Sequence, residues 1–256
     1  MSLAGETQVP ELIADESRGI ERILVVTAHP DDVDFGVAGS VAVWVKSGID
    51  VSYCVVTDGD AGGSDRSVTR RDMSKLRREE QRAAASEVGV TNVTFLGHPD
   101  GRLTPSIELR RDMSRVVRQV RPDRLVAQSP ERNWERIGAS HPDHLAAGEA
   151  AVCVAYPDAR NPFAHPELLE EGLEPFTVRQ LWLMAAPRSN RFVDITDVFD
   201  LKLAALRSHR SQVGDGEWLD ERLRGWFSEG ARRAGLPGGH LAEVFHAIEM
   251  PDSGSA

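Results

Sequence analysis

Two short stretches of this sequence, TAHPDD and SHPDH, concentrate histidines next to carboxylates. Their six side chains are His29, Asp31, Asp32, His141, Asp143 and His144. The spacings His-x-x-Asp and His-x-x-His supply nitrogen and oxygen ligands of the kind that hold one zinc ion. Three such ligands leave a fourth position open, where the metal lowers the pKa of a water molecule enough for hydrolysis near neutral pH. The residues therefore favour metal-assisted hydrolysis.

The paired carboxylates of the first stretch are expected to have different roles, because adjacent side chains in a non-helical turn point in different directions. If His29 and Asp32 bind the metal, Asp31 is left beside the water, where it can take a proton and later return it to a leaving group. His141 is then placed to stabilise or protonate the tetrahedral intermediate. A simpler interpretation is a helix entry capped by Asp, but two such clusters favour the metal site.

Alternating strands and helices are predicted to position both clusters. Strands buried on both faces are predicted at 22–28, 51–57, 92–97, 123–129 and 179–185. Helices are predicted at 36–48, 70–88 and 106–121, with Thr69 capping the second. This alternation implies right-handed crossovers and an α/β fold: a Rossmann-like, doubly wound, mostly parallel sheet with helices on both faces. Ligands of such sheets bind beyond the carboxyl ends of the strands, where both clusters fall.

The second half of the chain is less regular. Residues 155–175 contain four prolines and are predicted to form a long loop with a short helix that walls the site. The segment VDITDVFDLKLAALRSHRSQ predicts a short strand and a helix, and the remainder is predicted to be helical with a break at GLPGGH. The predicted organisation is a flexible arm at 1–20, a single domain at 21–250 and a disordered tail at 251–256.

Composition narrows the class of protein. A formal net charge of −10 disfavours a nucleic-acid partner, because phosphate binding depends on clustered Lys and Arg. Cys54 and Cys153 lack metal-type spacing, as expected of thiols in a reducing compartment. The N-terminus has no signal-peptide pattern, and no apolar run approaches the length of a membrane span. A cytoplasmic protein with neither a membrane nor a nucleic-acid partner is expected.

From about Arg22 to the helix containing LKLAALRSHRSQ, the chain resembles the LmbE-like or PIG-L-type zinc-dependent N-deacetylases. The resemblance implies the same Rossmann-like fold. It also implies one zinc ion per chain, held by His29 and Asp32 of AHPDD and by His144 of HPDH. Another divalent metal such as Fe²⁺ also suits this ligand set.

The resemblance further implies roles around the metal. Asp31 would act as general base and acid, and His141 would support the oxyanion or the leaving amine. Asp143 would fix the orientation of a histidine ring.

The sequence signals for residues that contact the substrate are less specific. One relative has a tyrosine where this chain has Ala139, so Arg136 or Arg132 is considered as a replacement donor. By resemblance, Arg77 reaches the substrate and Asp100 accepts hydrogen bonds from sugar hydroxyls.

The implied activity is hydrolytic removal of an N-acetyl group from an N-acetylglucosamine-type conjugate, a small-molecule partner. One alternative is an amidase that acts on a larger amide, such as a mycothiol S-conjugate or an acylated natural product. A different class is a non-catalytic sugar-binding protein, although a retained Asp31 beside a costly charge cluster argues against it. The sequence does not indicate an oligomeric state, and a homo-oligomer is left open because relatives often assemble.

Three further features receive other interpretations. The turn TDGDAGGSD lacks the phosphate-loop pattern and is predicted to let backbone approach a small ligand. His209 and His246 are interpreted as packing or surface residues on helices, outside the site. Four aromatic residues are predicted to be core rather than a stacking platform: Trp182, Trp218, Trp226 and Phe227.

Overall fold

The computed structural model describes residues 12–63 and 65–251. The strands are β1 (Ile13–Ala14), β2 (Arg22–Thr27), β3 (Asp50–Thr57), β4 (Asn92–His98), β5 (Arg124–Gln128), β6 (Gln180–Met184), β7 (Arg191–Asp194) and β8 (Ala242–Glu249). The helices are α1 (Asp32–Gly36), α2 (Ala38–Lys46), α3 (Arg70–Glu87), α4 (Ile107–Val120), α5 (Pro142–Ala155), α6 (Pro166–Glu170), α7 (Phe199–Ser208), α8 (Arg210–Val213) and α9 (Leu219–Arg233). The strands form one sheet in the order β1-β7-β8-β6-β5-β2-β3-β4.

The predicted fold class is confirmed. Neighbouring strands are parallel except for β8, which runs antiparallel to β6 and β7. Strand β2 shows why its sequence is continuously apolar. Ile23 and Val25 lie in a core shared with α2, α3 and α7, whereas Leu24 and Val26 face a second core formed with α4 and α5. Helices therefore cover both faces of the sheet.

Local signals in the sequence explain where two long helices begin. The Thr69 hydroxyl accepts a hydrogen bond from the Asp72 N–H at the start of α3, as predicted. Ser106 caps α4 in the same way through the Leu109 N–H. Each cap satisfies a backbone donor that has no partner within its helix.

Both ends of the chain differ from expectation. Of the predicted arm and tail, residues 1–11 and 252–256 lie outside the described residues, while the end of the arm forms β1 and pairs with β7. The all-helical C-terminus is wrong, because β8 follows α9 and inserts between β6 and β7. His246 consequently lies on a strand. Within the described ranges, no helix is both long and apolar enough to cross a membrane.

The strand order brings the two histidine clusters together. From β2, the chain adds β3 and β4 on one side, while β5 and β6 lie on the other. The carboxyl ends of β2 and β5 therefore meet at the topological switch point, where open α/β sheets place their ligands. The first cluster follows β2 and the second precedes and begins α5, the helix after β5.

Candidate active site

The backbone of the first cluster turns sharply between β2 and α1. Asp31 occupies the position before α1 with a φ of 89°, and its side chain makes no capping hydrogen bond. The helix-entry interpretation therefore does not explain this carboxylate. In the second cluster the His141 ring does cap α5, because its Nδ1 accepts from the Asp143 N–H at 3.2 Å.

His29 lies between carboxylates on both sides of its ring. Its Nε2 is 3.1 Å from Asp100 Oδ1 and 3.2 Å from Asp143 Oδ2, while its Nδ1 is 3.3 Å from Asp32 Oδ2. Ionised carboxylates only accept hydrogen bonds, so the two behind the ring favour a proton on Nε2. In the neutral ring, Nδ1 then presents its lone pair toward Asp32.

His144 is oriented in a similar way. Its Nδ1 lies 3.2 Å from the Ala139 carbonyl oxygen, which can only accept, so Nδ1 carries the proton. The Nε2 lone pair then faces Asp32 Oδ1 at 3.0 Å. Acceptor atoms of His29, Asp32 and His144 thus point toward one another. They can lie this close only if a positive charge is held between them. This donor set fits a divalent cation, with the far nitrogen of each ring held by an outer partner.

The electrostatics favour positive charge at this point, whether it comes from protons on the two rings or from a cation that replaces them. Although burial opposes protonation, hydrogen bonds to Asp100, Asp143 and Asp32 raise the pKa of His29 to about 12. Burial also opposes protonation of His144, but Asp32 raises the pKa of that ring. Burial alone would raise the pKa of Asp32, yet His144 and His29 hold it well below its ordinary value.

The Asp31 carboxylate lies beside this group and pairs with a buried arginine. Arg77 Nη2 is 3.1 Å from Asp31 Oδ2. Burial raises the pKa of Asp31 to about 6, while the Arg77 guanidinium opposes the shift and Asp32 adds to it. Asp31 is therefore mostly ionised at neutral pH yet close enough in pKa to exchange protons.

Arg77 is only 4% exposed. Its guanidinium also donates to the Pro30 and Gly59 carbonyls. All these contacts are with the protein, and its substrate contact stays a prediction. A Cβ at Gly59, which has a φ of +64°, would lie 2.3 Å from Arg77 Nη1. Gly59 thus allows close approach to Arg77, and the approach of a small ligand to this turn stays a prediction.

The His141 ring stands at the open side of the site. Its centroid is 5.1 Å from that of His29 and 5.3 Å from that of His144. Because its Nδ1 accepts a backbone N–H, the proton of the neutral ring is on Nε2. Burial, with the nearby His29 and His144 charges, lowers the pKa of His141. The His141 ring is therefore neutral and donates from Nε2.

Asp143 and Asp100 lie behind His29. Asp143 is fully buried and accepts from the Gly101 and Leu103 N–H groups at 2.7 and 3.1 Å. Asp100 accepts from the Ala61 N–H at 3.0 Å. The position of Asp143 suits its predicted role in fixing a ring. The predicted contact of Asp100 with sugar hydroxyls stays a prediction, since its described contacts are with the protein.

A cavity of about 770 Å³ extends from Asp32 and His144 to α9. Its walls come from the segments 133–139 and 184–189 and from α9. None of the residues 155–175 is among the described residues that line it, so the expectation that this loop walls the site is wrong. That loop is instead held against α4, where Arg118 donates to several of its carbonyl groups.

Aromatic side chains line the outer part of the cavity. Trp218 and Trp226 are 41% and 42% exposed and border it, so their assignment to the core is wrong. Trp182 is buried as predicted. Arg136 also lines the cavity, with its guanidinium 5.7 Å from the centroid of Trp226. The predicted substrate contact of Arg136 is therefore geometrically accessible.

Sequence reasoning missed one group of polar residues. His209, interpreted as a helical packing residue, lies at the junction of α7 and α8 and is fully buried against Asp34. The run SHRSQ, which ends an apolar helix with consecutive polar residues, was the available signal.

A histidine–carboxylate centre at the switch point of a doubly wound sheet is the arrangement expected of a metal-dependent hydrolase. The protein-family model described as "PIG-L: GlcNAc-PI de-N-acetylase" matches residues 24–155. The chain belongs to this family. The predicted resemblance is confirmed, and with it the prediction of a hydrolytic enzyme that acts on amides.

Two curated relatives are similar over most of the chain. The diacetylchitobiose deacetylase of Thermococcus kodakarensis is 32% identical over 78% of this chain and 73% of its own. A probable N-acetyl-alpha-D-glucosaminyl L-malate deacetylase of Bacillus subtilis is 30% identical, covering 82% of this chain and 95% of its own. Among solved structures, the N,N'-diacetylchitobiose deacetylase of Pyrococcus horikoshii has a TM-score of 0.83 and 30% identity, over 91% of this chain and 85% of that one.

Proposed function

We propose that this protein is a zinc-dependent deacetylase that removes the acetyl group from the nitrogen of a 2-acetamido sugar within a larger conjugate. The observation that carries the proposal is the convergence of acceptor atoms from His29, Asp32 and His144 beside Asp31. The names of the relatives support the amino sugar as substrate class. In the proposal these three residues hold the metal, and His141 and Asp31 act on the substrate.

A zinc ion held there would supply Lewis-acid polarisation of the amide carbonyl and activate water. Asp31, ionised at neutral pH, accepts a proton from the attacking water as the new C–O bond forms. The His141 Nε2–H donates a hydrogen bond to the oxygen that gains negative charge. Asp31 then returns its proton to the amine nitrogen as the C–N bond breaks. The products are acetate and a free amino sugar.

Acetate release tests the proposal directly. A panel of N-acetylglucosaminides, including inositol, malate and chitobiose conjugates, is incubated with zinc-loaded and with chelator-stripped protein. Release from at least one member is expected only with the metal, and zinc added back should restore it. Release that chelation leaves unchanged would exclude the metal mechanism. Absence of release from every member, with one zinc bound per chain, would instead favour the larger-amide alternative.

The cavity supports a conjugate rather than a single sugar. Its volume of about 770 Å³ lies in the upper part of the roughly 300–1,000 Å³ typical of ligand pockets. The acetamido sugar occupies the end at Asp32 and His144, and the second part of the conjugate lies against Trp226. Exposed tryptophan faces favour flat or ring-shaped groups.

The Trp226→Ala variant is expected to raise KM for a conjugate about 3- to 10-fold, since aromatic contacts contribute roughly 0.5–1.5 kcal/mol beyond burial. The kcat should change little because Trp226 lies at the outer part of the cavity. Steady-state kinetics on the best conjugate provide the measurement. Trp134→Ala is the matched control, because Trp134 is 79% exposed and is not among the cavity residues. Equal effects of both substitutions would contradict this placement.

A further inference from the structure

A buried polar network lies beneath the turn that carries Asp31. His209 and Asp34 are both fully buried, and His209 Nε2 lies 2.8 Å from Asp34 Oδ2. The nearby Asp34 carboxylate raises the pKa of His209 against the effect of burial. Removing such a pair from water costs free energy, and an apolar pair of similar volume often stabilises a protein as well or better. Packing alone therefore gives no reason for this pair.

Gln81 of α3 connects the pair to Asp31. Its Nε2 donates to the same Asp34 oxygen at 2.9 Å, and its Oε1 accepts from the Asp31 N–H at 2.9 Å. A glutamine amide donates only through nitrogen and accepts only through oxygen. Because Asp34 is an acceptor, it turns the Gln81 nitrogen toward itself. The Gln81 oxygen must then face Asp31.

The Asp31 backbone needs such support. Its φ of 89° lies in the left-handed region, a conformation that strains the backbone of a residue other than glycine. Its carbonyl oxygen accepts from the Asp34 and Phe35 N–H groups of α1. Two side chains hold the rest of the residue: the Gln81 oxygen accepts from its N–H, and the Arg77 guanidinium donates to its carboxylate and to the Pro30 carbonyl. Without these two side chains, the Asp31 N–H and carboxylate lose these partners, and the carboxylate is free to reorient.

The segment that carries His209 is itself docked on α3. Glu80, the neighbour of Gln81, accepts from the Ser211 N–H at 2.8 Å and from the Ser211 hydroxyl at 2.6 Å. The same helix thus presents Gln81 to Asp31 and Asp34, and Glu80 to the residues after His209. This arrangement fixes the distance between His209 and the turn that carries Asp31.

We propose that His209 and Asp34 form a positioning device which, through Gln81, holds Asp31 in the conformation required of the general base. The inference rests on the proposed function of Asp31. His209 is a positioning residue and touches neither substrate nor metal in this scheme. It acts through the orientation of one amide and one strained residue.

Three His209 and Gln81 variants test the proposal. His209→Leu removes the donor to Asp34 but leaves a buried apolar side chain, and it is expected to lower kcat about 10- to 100-fold with KM and zinc content unchanged. His209→Gln keeps a nitrogen donor at similar reach and should recover most of the activity. Gln81→Met removes both hydrogen bonds and should cause the same loss, which keeps the test valid if His209→Leu does not fold.

The decisive measurement is a double-mutant cycle with Asp31→Asn. If His209 acts through Asp31, His209→Leu should lower the residual activity of the Asp31→Asn variant less than about twofold, because interacting sites are non-additive. An equal loss in both backgrounds would show a merely structural role and overturn the inference. Unchanged kcat in both His209→Leu and Gln81→Met would also overturn it while leaving the proposed function intact. Full activity of Asp31→Asn itself would overturn the proposed function.

The chain offers a matched control. His165 is also buried and faces a buried carboxylate, with its Nε2 3.7 Å from Asp158 Oδ2. This pair lies on the α4 side of the sheet, where Arg110 also binds Asp158. His165→Leu is expected to leave kcat unchanged, and a loss equal to that of His209→Leu would contradict a specific role for His209.

Discussion

Replacing Asp31 by asparagine is expected to lower kcat by about 10²- to 10⁴-fold, the usual contribution of a general acid–base group. Asparagine keeps the size of the side chain and can still contact Arg77, but it cannot take a proton from water. Because Asp31 is not among the three converging acceptors at the candidate metal centre, zinc content should remain one ion per chain. Metal analysis and acetate release measured on the same preparation provide the test.

Asp58→Asn is the matched control for this substitution. Asp58 follows β3 as Asp31 follows β2, and it pairs with Arg78, the neighbour of Arg77, at 2.7 Å. Its side-chain hydrogen bonds are with Ser74 and Arg78, neither of which is a candidate metal ligand. Activity within about threefold of the wild type is expected by the same general-base argument. Turnover that survives Asp31→Asn would rule out Asp31 as the base, and loss of zinc would show that it binds metal.

The second large effect concerns stability: Lys202→Met is expected to lower the free energy of unfolding. The Lys202 ammonium is fully buried and lies 2.7 Å from Glu243 Oε1, and it also donates to the Asp34 and Phe35 carbonyls. Its loss leaves the buried Glu243 carboxylate without a countercharge, which typically costs about 3–5 kcal/mol. Urea denaturation, followed by circular dichroism, measures the free energy of unfolding.

The double variant Lys202→Met with Glu243→Gln provides the control, because it removes the uncompensated charge. It should lose clearly less stability than Lys202→Met alone. Glu243 also accepts from the Gly39 and Ser40 N–H groups at the start of α2, and glutamine can retain one of these bonds. If Lys202→Met lowers the free energy of unfolding by less than about 1 kcal/mol, the Lys202–Glu243 pair contributes no more than an exposed ion pair does.

The sheet and the two clusters were predictable because each has a strong local signal. Strands buried on both faces produce continuous apolar runs, and β2 to β6 all lie where such runs occur. Strand β8 was missed because Leu241, Val244, Phe245 and Ile248 recur at helical spacing. Its conformation is set by pairing with β6 and β7, which no local pattern encodes.

The sequence predicted more of the centre of the site than of its surroundings. His29, Asp31, Asp32 and the second cluster come together because the parallel strands of an α/β sheet bring their carboxyl ends to one edge. The link between His209 and Asp34 spans 175 residues of sequence. Which helix junction faces which turn depends on tertiary packing, and single-sequence patterns do not contain that information. The exposure of Trp226 was missed for the same reason.

The antiparallel strand β8 also has a consequence for synthesis on the ribosome. Because β8 lies between β6 and β7, the two outermost strands on that side join the sheet only after residue 249 has been made. Glu243, which β8 carries, supports the start of α2 next to the site. A nascent chain thus holds both histidine clusters long before it completes the layer behind them, and until then it exposes the open edge of β6 to wrong partners.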